Sequence, residues 1–127
     1  MVHVNLSDVN TFQAHPSGAY PATLVEANYR RAGVEKDANK ADDIEWIFEL
    51  QNVGGKQWVY TSLGPRALWK LREVLEAVGE DPGALDDTEG FDLNPEDYIG
   101  AEVTLLLTIG LDNKGRERNE VEQVLPP

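Results

Sequence analysis

The fold is decided by the segment Leu63-Gly-Pro-Arg-Ala-Leu-Trp-Lys-Leu-Arg-Glu-Val-Leu-Glu-Ala-Val-Gly79. Apolar side chains recur along it at spacings of three and four, which predicts an amphipathic helix. These residues are Leu68, Leu71, Val74, Leu75 and Val78. Pro65 suits the first helical turn and Gly79 a left-handed end, whereas Trp69 lies off the stripe and is expected to be partly buried against a loop. A helix with one apolar face must cover another layer, so we expect a β-structure with an opening that this helix fills.

Three strands are predicted before this helix. Residues 18–31 carry apolar side chains on both faces, which is typical of a long, bent strand that changes its buried side midway. Residues 44–50 alternate most cleanly between apolar and polar. Their apolar face consists of Ile44, Trp46, Phe48 and Leu50. Gly54 and Gly55 then predict a hairpin into a third strand at 56–63.

Two further strands are predicted after the helix. Residues 80–99 are rich in Gly, Pro and Asp, which indicates a loop with a single turn at 94–97. The fourth strand is expected at 100–110, and Asp112-Asn-Lys-Gly115 predicts a hairpin turn into a fifth at 116–125. The inward residues of the fourth strand are expected to be Val103, Leu105, Leu107 and Ile109.

This order of elements predicts the fold class. Five antiparallel strands with one α-helix between strands 3 and 4 are the arrangement of the OB-fold, a mainly β barrel that binds ligands on its second and third strands and in two loops. An unrelated β-sandwich or roll with an inserted helix is the alternative. Residues 1–17 are expected to form an N-terminal arm and residues 18–127 the OB-fold domain.

Composition limits the possible function classes. The chain has 127 residues and no cysteine, which predicts a single domain without disulfides or a thiolate metal site. Its N-terminus lacks a basic region followed by an apolar run, so we expect a cytoplasmic protein with no membrane segment. The net charge of −12 is concentrated in residues 73–97, which hold ten acids and no base. The rest of the chain is therefore close to neutral.

Catalytic motifs are missing from the sequence. His3 and His15 are the only histidines, and neither has a serine or carboxylate at a motif spacing. No glycine-rich phosphate loop occurs, and the acids at 81–89 do not have the spacing of a calcium-binding loop. We therefore predict no enzymatic activity, no cofactor and no bound metal.

Several short stretches of the sequence, taken in their order along the chain, are similar to those of a known family. They are Pro16-Ser-Gly-Ala-Tyr-Pro-Ala22, Ile44-Glu-Trp-Ile-Phe-Glu-Leu50 with its Gly-Gly hairpin, Leu75-Glu-Ala-Val-Gly79, Ile99-Gly-Ala-Glu-Val103 and Asn119-Glu-Val-Glu-Gln-Val-Leu-Pro126. In this placement, over about residues 12–126, the chain resembles a family of phage-encoded OB-fold proteins of the single-stranded-DNA-binding type. The resemblance implies single-stranded DNA as partner, a role in phage DNA replication or recombination, and the host cytoplasm as location.

The residues themselves suggest where such a strand would bind. A groove for single strands needs cations that track phosphates and aromatic faces on which bases stack. Cations occur in or beside the first loop, the third strand and the last hairpin, and aromatic residues occur at the first two of these places. The candidate residues are Tyr29, Arg30, Arg31, Lys36, Lys40, Lys56, Trp58, Tyr60, Lys114, Arg116 and Arg118. Trp58 and Tyr60 share one side of their strand, and the alternative is that this side is core, with Val59 and Thr61 outside.

A second function remains open at this point. The acidic 73–97 face could bind a replication or host protein, with the barrel as scaffold and without any nucleic acid. The sequence leaves the oligomeric state open between monomer and dimer.

Overall fold

The computed structural model of the chain describes residues 1–3, 14–32, 41–85, 90 and 92–127. Most of the predicted N-terminal arm, at 4–13, lies outside these residues. The strands and helices are β1 (Gly18–Arg30), β2 (Asp43–Leu50), β3 (Lys56–Ser62), α1 (Leu68–Ala77), α2 (Pro82–Leu85), β4 (Glu102–Leu111) and β5 (Glu117–Leu125). Single 3₁₀ turns occur at Pro65–Ala67 and Pro95–Tyr98. The predicted five strands and the helix between the third and fourth are confirmed, and the short α2 was not predicted.

All strands belong to one antiparallel sheet with the order β3-β2-β1-β4-β5. The register of β1 against β2 shifts between Leu24 and Glu26, so β1 contains a bulge. Leu24 and Ala27 are consequently both buried although they are three residues apart. The predicted bent first strand that changes its buried side is therefore confirmed.

The sheet is not closed into a barrel. β3 and β5 are its two edges, and although some of their Cα atoms come within 8 Å of each other, no ladder joins them in the described part of the chain. Helix α1 packs against both edges. Its Glu73 carboxylate accepts the Val124 N–H of β5 at 3.4 Å, and its Lys70 Nζ donates to the Glu122 carbonyl at 3.4 Å. The mainly β fold is thus confirmed, whereas the OB-fold barrel is not.

The core lies between the inner face of the sheet and α1. The Trp46 side chain is fully buried there, and its indole Nε1 donates a hydrogen bond of 2.9 Å to the Thr61 hydroxyl. The other large buried side chains are Leu24, Ile44, Phe48, Leu50, Val74, Leu75, Val103, Leu105, Leu107 and Val124.

Three apolar residues do not lie where the sequence pattern predicts. Ile109 of β4 is exposed because the pairing of β1 with β4 ends at Leu107, beyond which only β5 accompanies the strand. Leu68 is exposed because it stands in the first turn of α1, ahead of the buried Leu71. Trp69 is 67 % exposed, so the predicted partial burial against a loop is wrong.

Candidate nucleic-acid interface

Strand β3 turns its aromatic side outward. In the register with β2, Val59 lies opposite the buried Trp46 and Trp58 lies opposite Ile47 on the other face. Trp58 is 48 % exposed and Tyr60 is 51 % exposed, while Val59 and Thr61 are buried. The alternative that placed the two rings in the core is therefore wrong, and both rings are accessible to a ligand.

A cleft of about 410 Å³ lies between the start of β3, residues 14–15 and the β4–β5 hairpin. We refer to it as the β3–hairpin cleft. It is lined by Ala14, His15, Lys56, Gln57, Trp58, Asp112, Arg116, Glu117, Arg118 and Asn119. Four of the predicted site residues thus meet here although 60 positions separate Trp58 from Arg118 in the sequence.

One wall of the cleft is fixed by hydrogen bonds that the sequence analysis did not anticipate. The Asn119 side chain accepts the His15 N–H at 2.8 Å and donates to the His15 carbonyl at 2.8 Å. The Tyr20 hydroxyl donates to the Pro16 carbonyl at 2.6 Å, and the His15 and Tyr20 rings lie 5.9 Å apart. A polar residue at an inward position of β5 is the signal that could have identified Asn119.

The cations of the cleft differ in how strongly they are engaged. Asp112 accepts the N–H groups of Arg116 and Lys114 at 2.9 Å each and the Arg116 Nε at 3.0 Å. These bonds, that of the Arg116 N–H first, hold the pKa of Asp112 below its ordinary value. Arg118 pairs with Glu120 at 3.3 Å in an exposed contact, whereas Lys56 forms no ion pair with any residue that the structure describes.

Arg30 lies on the outer face of the sheet, away from this cleft. Its Nε and one terminal nitrogen each contact an Asp43 carboxylate oxygen at 2.7 Å, and its guanidinium lies 4.7 Å from the centre of the Tyr60 ring. The pKa of Arg30 is raised, chiefly by Asp43. Because the guanidinium is held by a carboxylate and covers one face of Tyr60, neither group is fully available to a nucleic acid.

The remaining predicted residues are scattered. Tyr29 lies opposite Ile44 on the inner side of β1, and its hydroxyl bonds to Asp42, which raises the Tyr29 pKa. Arg31 lines a shallow pocket with Arg30 and Asp43. Lys114 stands in the hairpin turn and is not among the residues that line the cleft. Lys36 and Lys40 lie outside the described residues.

The outer face of β1 and β2 is acidic. Its outward residues next to the aromatic pair include Glu26, Asp43, Glu45 and Glu49, which we call the acidic outer face. Tyr60 lies opposite Glu45, and burial followed by the bond to Glu45 raises the Tyr60 pKa. Like-charge repulsion disfavours a polyanion on this face and favours the side of β3 toward the β4–β5 hairpin.

Several acids of the 73–97 segment are engaged by residues that lie just before or just after it. Glu73 pairs with Lys70 at 2.6 Å, Glu76 pairs with Arg72 at 3.0 Å, and Glu80 accepts the Tyr98 hydroxyl at 2.7 Å. Part of the segment, including Asp86, Asp87 and Glu89, lies outside the described residues. A protein partner at this segment stays a prediction.

The described ranges contain no group of three or more His, Cys, Asp or Glu side chains placed to hold a metal ion, and no helix in them is long and apolar enough to cross a membrane. Comparison with known proteins finds no matching family model and no matching curated protein.

Proposed function

We propose that the chain binds single-stranded DNA in the β3–hairpin cleft and acts in phage DNA replication or recombination. The observation that carries the proposal is the meeting of an exposed indole, Trp58, with the cations Lys56, Arg116 and Arg118 around one cleft. Single-strand binders combine these two elements, because every base offers a face for stacking and every nucleotide a phosphate.

An OB-type barrel is the architecture that we propose for this site. Closing the sheet requires its edges β3 and β5 to meet, and their Cα atoms already approach within 8 Å while α1 packs on both. The ligand-binding surface of an OB-fold includes strand 3 and the loop between strands 4 and 5. Those two elements form the two main walls of the cleft, which supports the proposal.

Trp58 and Tyr60 have unequal parts in this binding mode. A base stacked on the Trp58 ring gains roughly 1–3 kcal/mol. Tyr60 contributes less, because Arg30 covers one of its faces at 4.7 Å. Lys56 approaches the phosphates most readily, since an incoming strand does not have to break an ion pair to reach it.

The test is a titration of a labelled oligothymidine, followed by fluorescence anisotropy, with Trp58→Ala and Trp69→Ala as a matched pair. Both indoles are exposed, but Trp69 lies on α1 and does not line the cleft. Trp58→Ala should weaken binding by roughly fivefold to 150-fold, the equivalent of one stacked base, and Trp69→Ala by less than about twofold. Absence of binding by the unmodified protein at low salt, or equal losses in the two variants, would overturn the proposal.

A further inference from the structure

Arg30 of the chain itself lies on the outer face of β2 and β3. Its guanidinium lies 4.7 Å from the centre of the Tyr60 ring and contacts both carboxylate oxygens of Asp43 at 2.7 Å. Glu45 adds a third carboxylate at 3.7 Å. The chain therefore holds one arginine of its own between an aromatic ring and carboxylates on this face.

The neighbouring end of the same face repeats these components. Trp58 stands two residues before Tyr60 on β3, and Ile47, opposite it on β2, is only 6 % exposed. Glu26 follows in the same row on β1, and Glu49 lies diagonally from Trp58, beside Ile47 on the outer side of β2. Glu26 and Glu49 form no ion pair or hydrogen bond through their side chains with any residue that the structure describes, although Lys56 lies opposite Glu49 on β3.

We propose that this end of the outer face, formed by Glu26, Ile47, Glu49 and Trp58, binds an arginine side chain from a basic segment of a partner protein. The guanidinium would lie on the Trp58 ring and pair with Glu26 or Glu49, as Arg30 does with Tyr60 and Asp43. Neighbouring strands are about 4.8 Å apart, so an arginine reaches from one strand to the next but one.

Charge and geometry select the partner. A planar guanidinium stacks on an aromatic face and binds a carboxylate with two parallel bonds, whereas an ammonium does neither as well. Glu26 and Glu49 together outweigh the single positive charge of Lys56, so this end of the face favours a cation over a phosphate. This inference does not rest on DNA binding, although both ligands use Trp58 and should compete for it.

The test uses a short fluorescein-labelled peptide of alternating glycine and arginine and the same peptide with lysine in place of arginine. The double variant Glu26→Gln/Glu49→Gln is compared with Glu96→Gln/Glu122→Gln, which removes the same two negative charges at exposed carboxylates away from this face. Trp58→Ala is measured alongside, and thermal unfolding confirms that each variant is folded.

The arginine peptide should bind more tightly than the lysine peptide. Its Kd should rise about threefold to tenfold in Glu26→Gln/Glu49→Gln and in Trp58→Ala, and less than about twofold in Glu96→Gln/Glu122→Gln. Equal binding of the two peptides, equal losses in the two double variants, or no effect of Trp58→Ala would each overturn the inference.

The oligothymidine titration separates this inference from the proposed function. Removing Glu26 and Glu49 should leave DNA binding unchanged or tighter, because it removes like-charge repulsion near the cleft. If the arginine peptide binds as expected and oligothymidine does not bind at all, only the DNA proposal fails. If DNA binds and the arginine peptide shows no preference over lysine, only the arginine site fails.

Discussion

The two faces of β3 differ in what their side chains do, although they alternate along one strand. The inner face places Val59 and Thr61 in the core, where the Thr61 hydroxyl accepts a hydrogen bond from Trp46. The outer face presents Trp58 and Tyr60 at about half exposure. The bulky aromatic residues thus lie outside and the smaller β-branched ones inside, and the buried Thr61 departs from the usual exposure of threonine. We infer that the inner face serves stability and the outer face recognition.

The largest expected effect is the loss of stability caused by a substitution in the core beneath the inner face. Trp46→Ala should lower the free energy of unfolding by about 3–5 kcal/mol, because it removes a fully buried indole and leaves a cavity. Trp58→Ala and Trp69→Ala are the controls, and each should cost much less than Trp46→Ala, since Trp58 is about half exposed and Trp69 is 67 % exposed. Urea unfolding followed by circular dichroism measures all three. Similar losses for Trp46→Ala and Trp58→Ala would contradict the assignment of the two faces.

A smaller effect tests the one hydrogen bond that links β3 to the core indole. Thr61→Val keeps the shape of the side chain but leaves the Trp46 Nε1–H without its acceptor, at a cost of about 1–3 kcal/mol. Thr104→Val is the matched control on the outer side of β4, where the threonine side chain is only partly buried and has no such partner among the described residues. The same urea experiment decides, and equal stabilities of the two variants would show that the bond contributes little.

The sequence predicted the inner face of β2 but could not predict that of β3. Ile44, Trp46 and Phe48 lie on one side of that strand and Glu45 and Glu49 on the other, so the pattern favours burial of the first side, even though Ile47 on the second side is buried as well. In β3 both faces are rich in residues that strands favour, and the choice is made by register, which sets Val59 against Trp46. Register depends on the hairpin and on all cross-strand contacts together, and no local pattern reports it.

The candidate site was predictable in part for a similar reason. Consecutive side chains of a β-strand point to opposite faces of the sheet, so Tyr29 and Arg30 lie on different faces. This separation could have been derived from the sequence. In contrast, the meeting of Lys56 with Arg116 and Arg118 requires the two sheet edges to approach each other in space. That approach is a property of the whole sheet and of the helix that packs across its edges.

A comparison of two arginines tests which end of the outer side of β3 binds DNA. Arg118 lines the β3–hairpin cleft, whereas Arg30 is bound to Asp43 beyond Tyr60. The logarithm of the oligothymidine binding constant falls linearly with the logarithm of the salt concentration. Arg118→Ala should make this slope shallower by about 0.7–1, which corresponds to the loss of one phosphate contact. Arg30→Ala should leave the slope unchanged and uncover the second face of Tyr60. Titrations at several salt concentrations give both slopes, and a larger change for Arg30→Ala would place the DNA on the other end of β3.

The smallest expected effect concerns low pH, because the carboxylate of Asp112 accepts hydrogen bonds in the hairpin that lines the cleft, whereas the inner face of β3 is formed by the uncharged Val59 and Thr61. Asp112 accepts three hydrogen bonds within the hairpin, and its pKa lies below the ordinary value of about 3.9. A depressed folded-state pKa means that the charged carboxylate stabilises the hairpin fully above about pH 3.9 and loses this effect as the pH falls through the depressed value. The amide resonances of Lys114 and Arg116 should therefore shift only at the acid end of an NMR titration, while those of Val59 and Thr61 remain constant. Asp112→Asn should remove the transition, and a hairpin midpoint at or above about 3.9 would show that the wall of the cleft does not depend on this carboxylate.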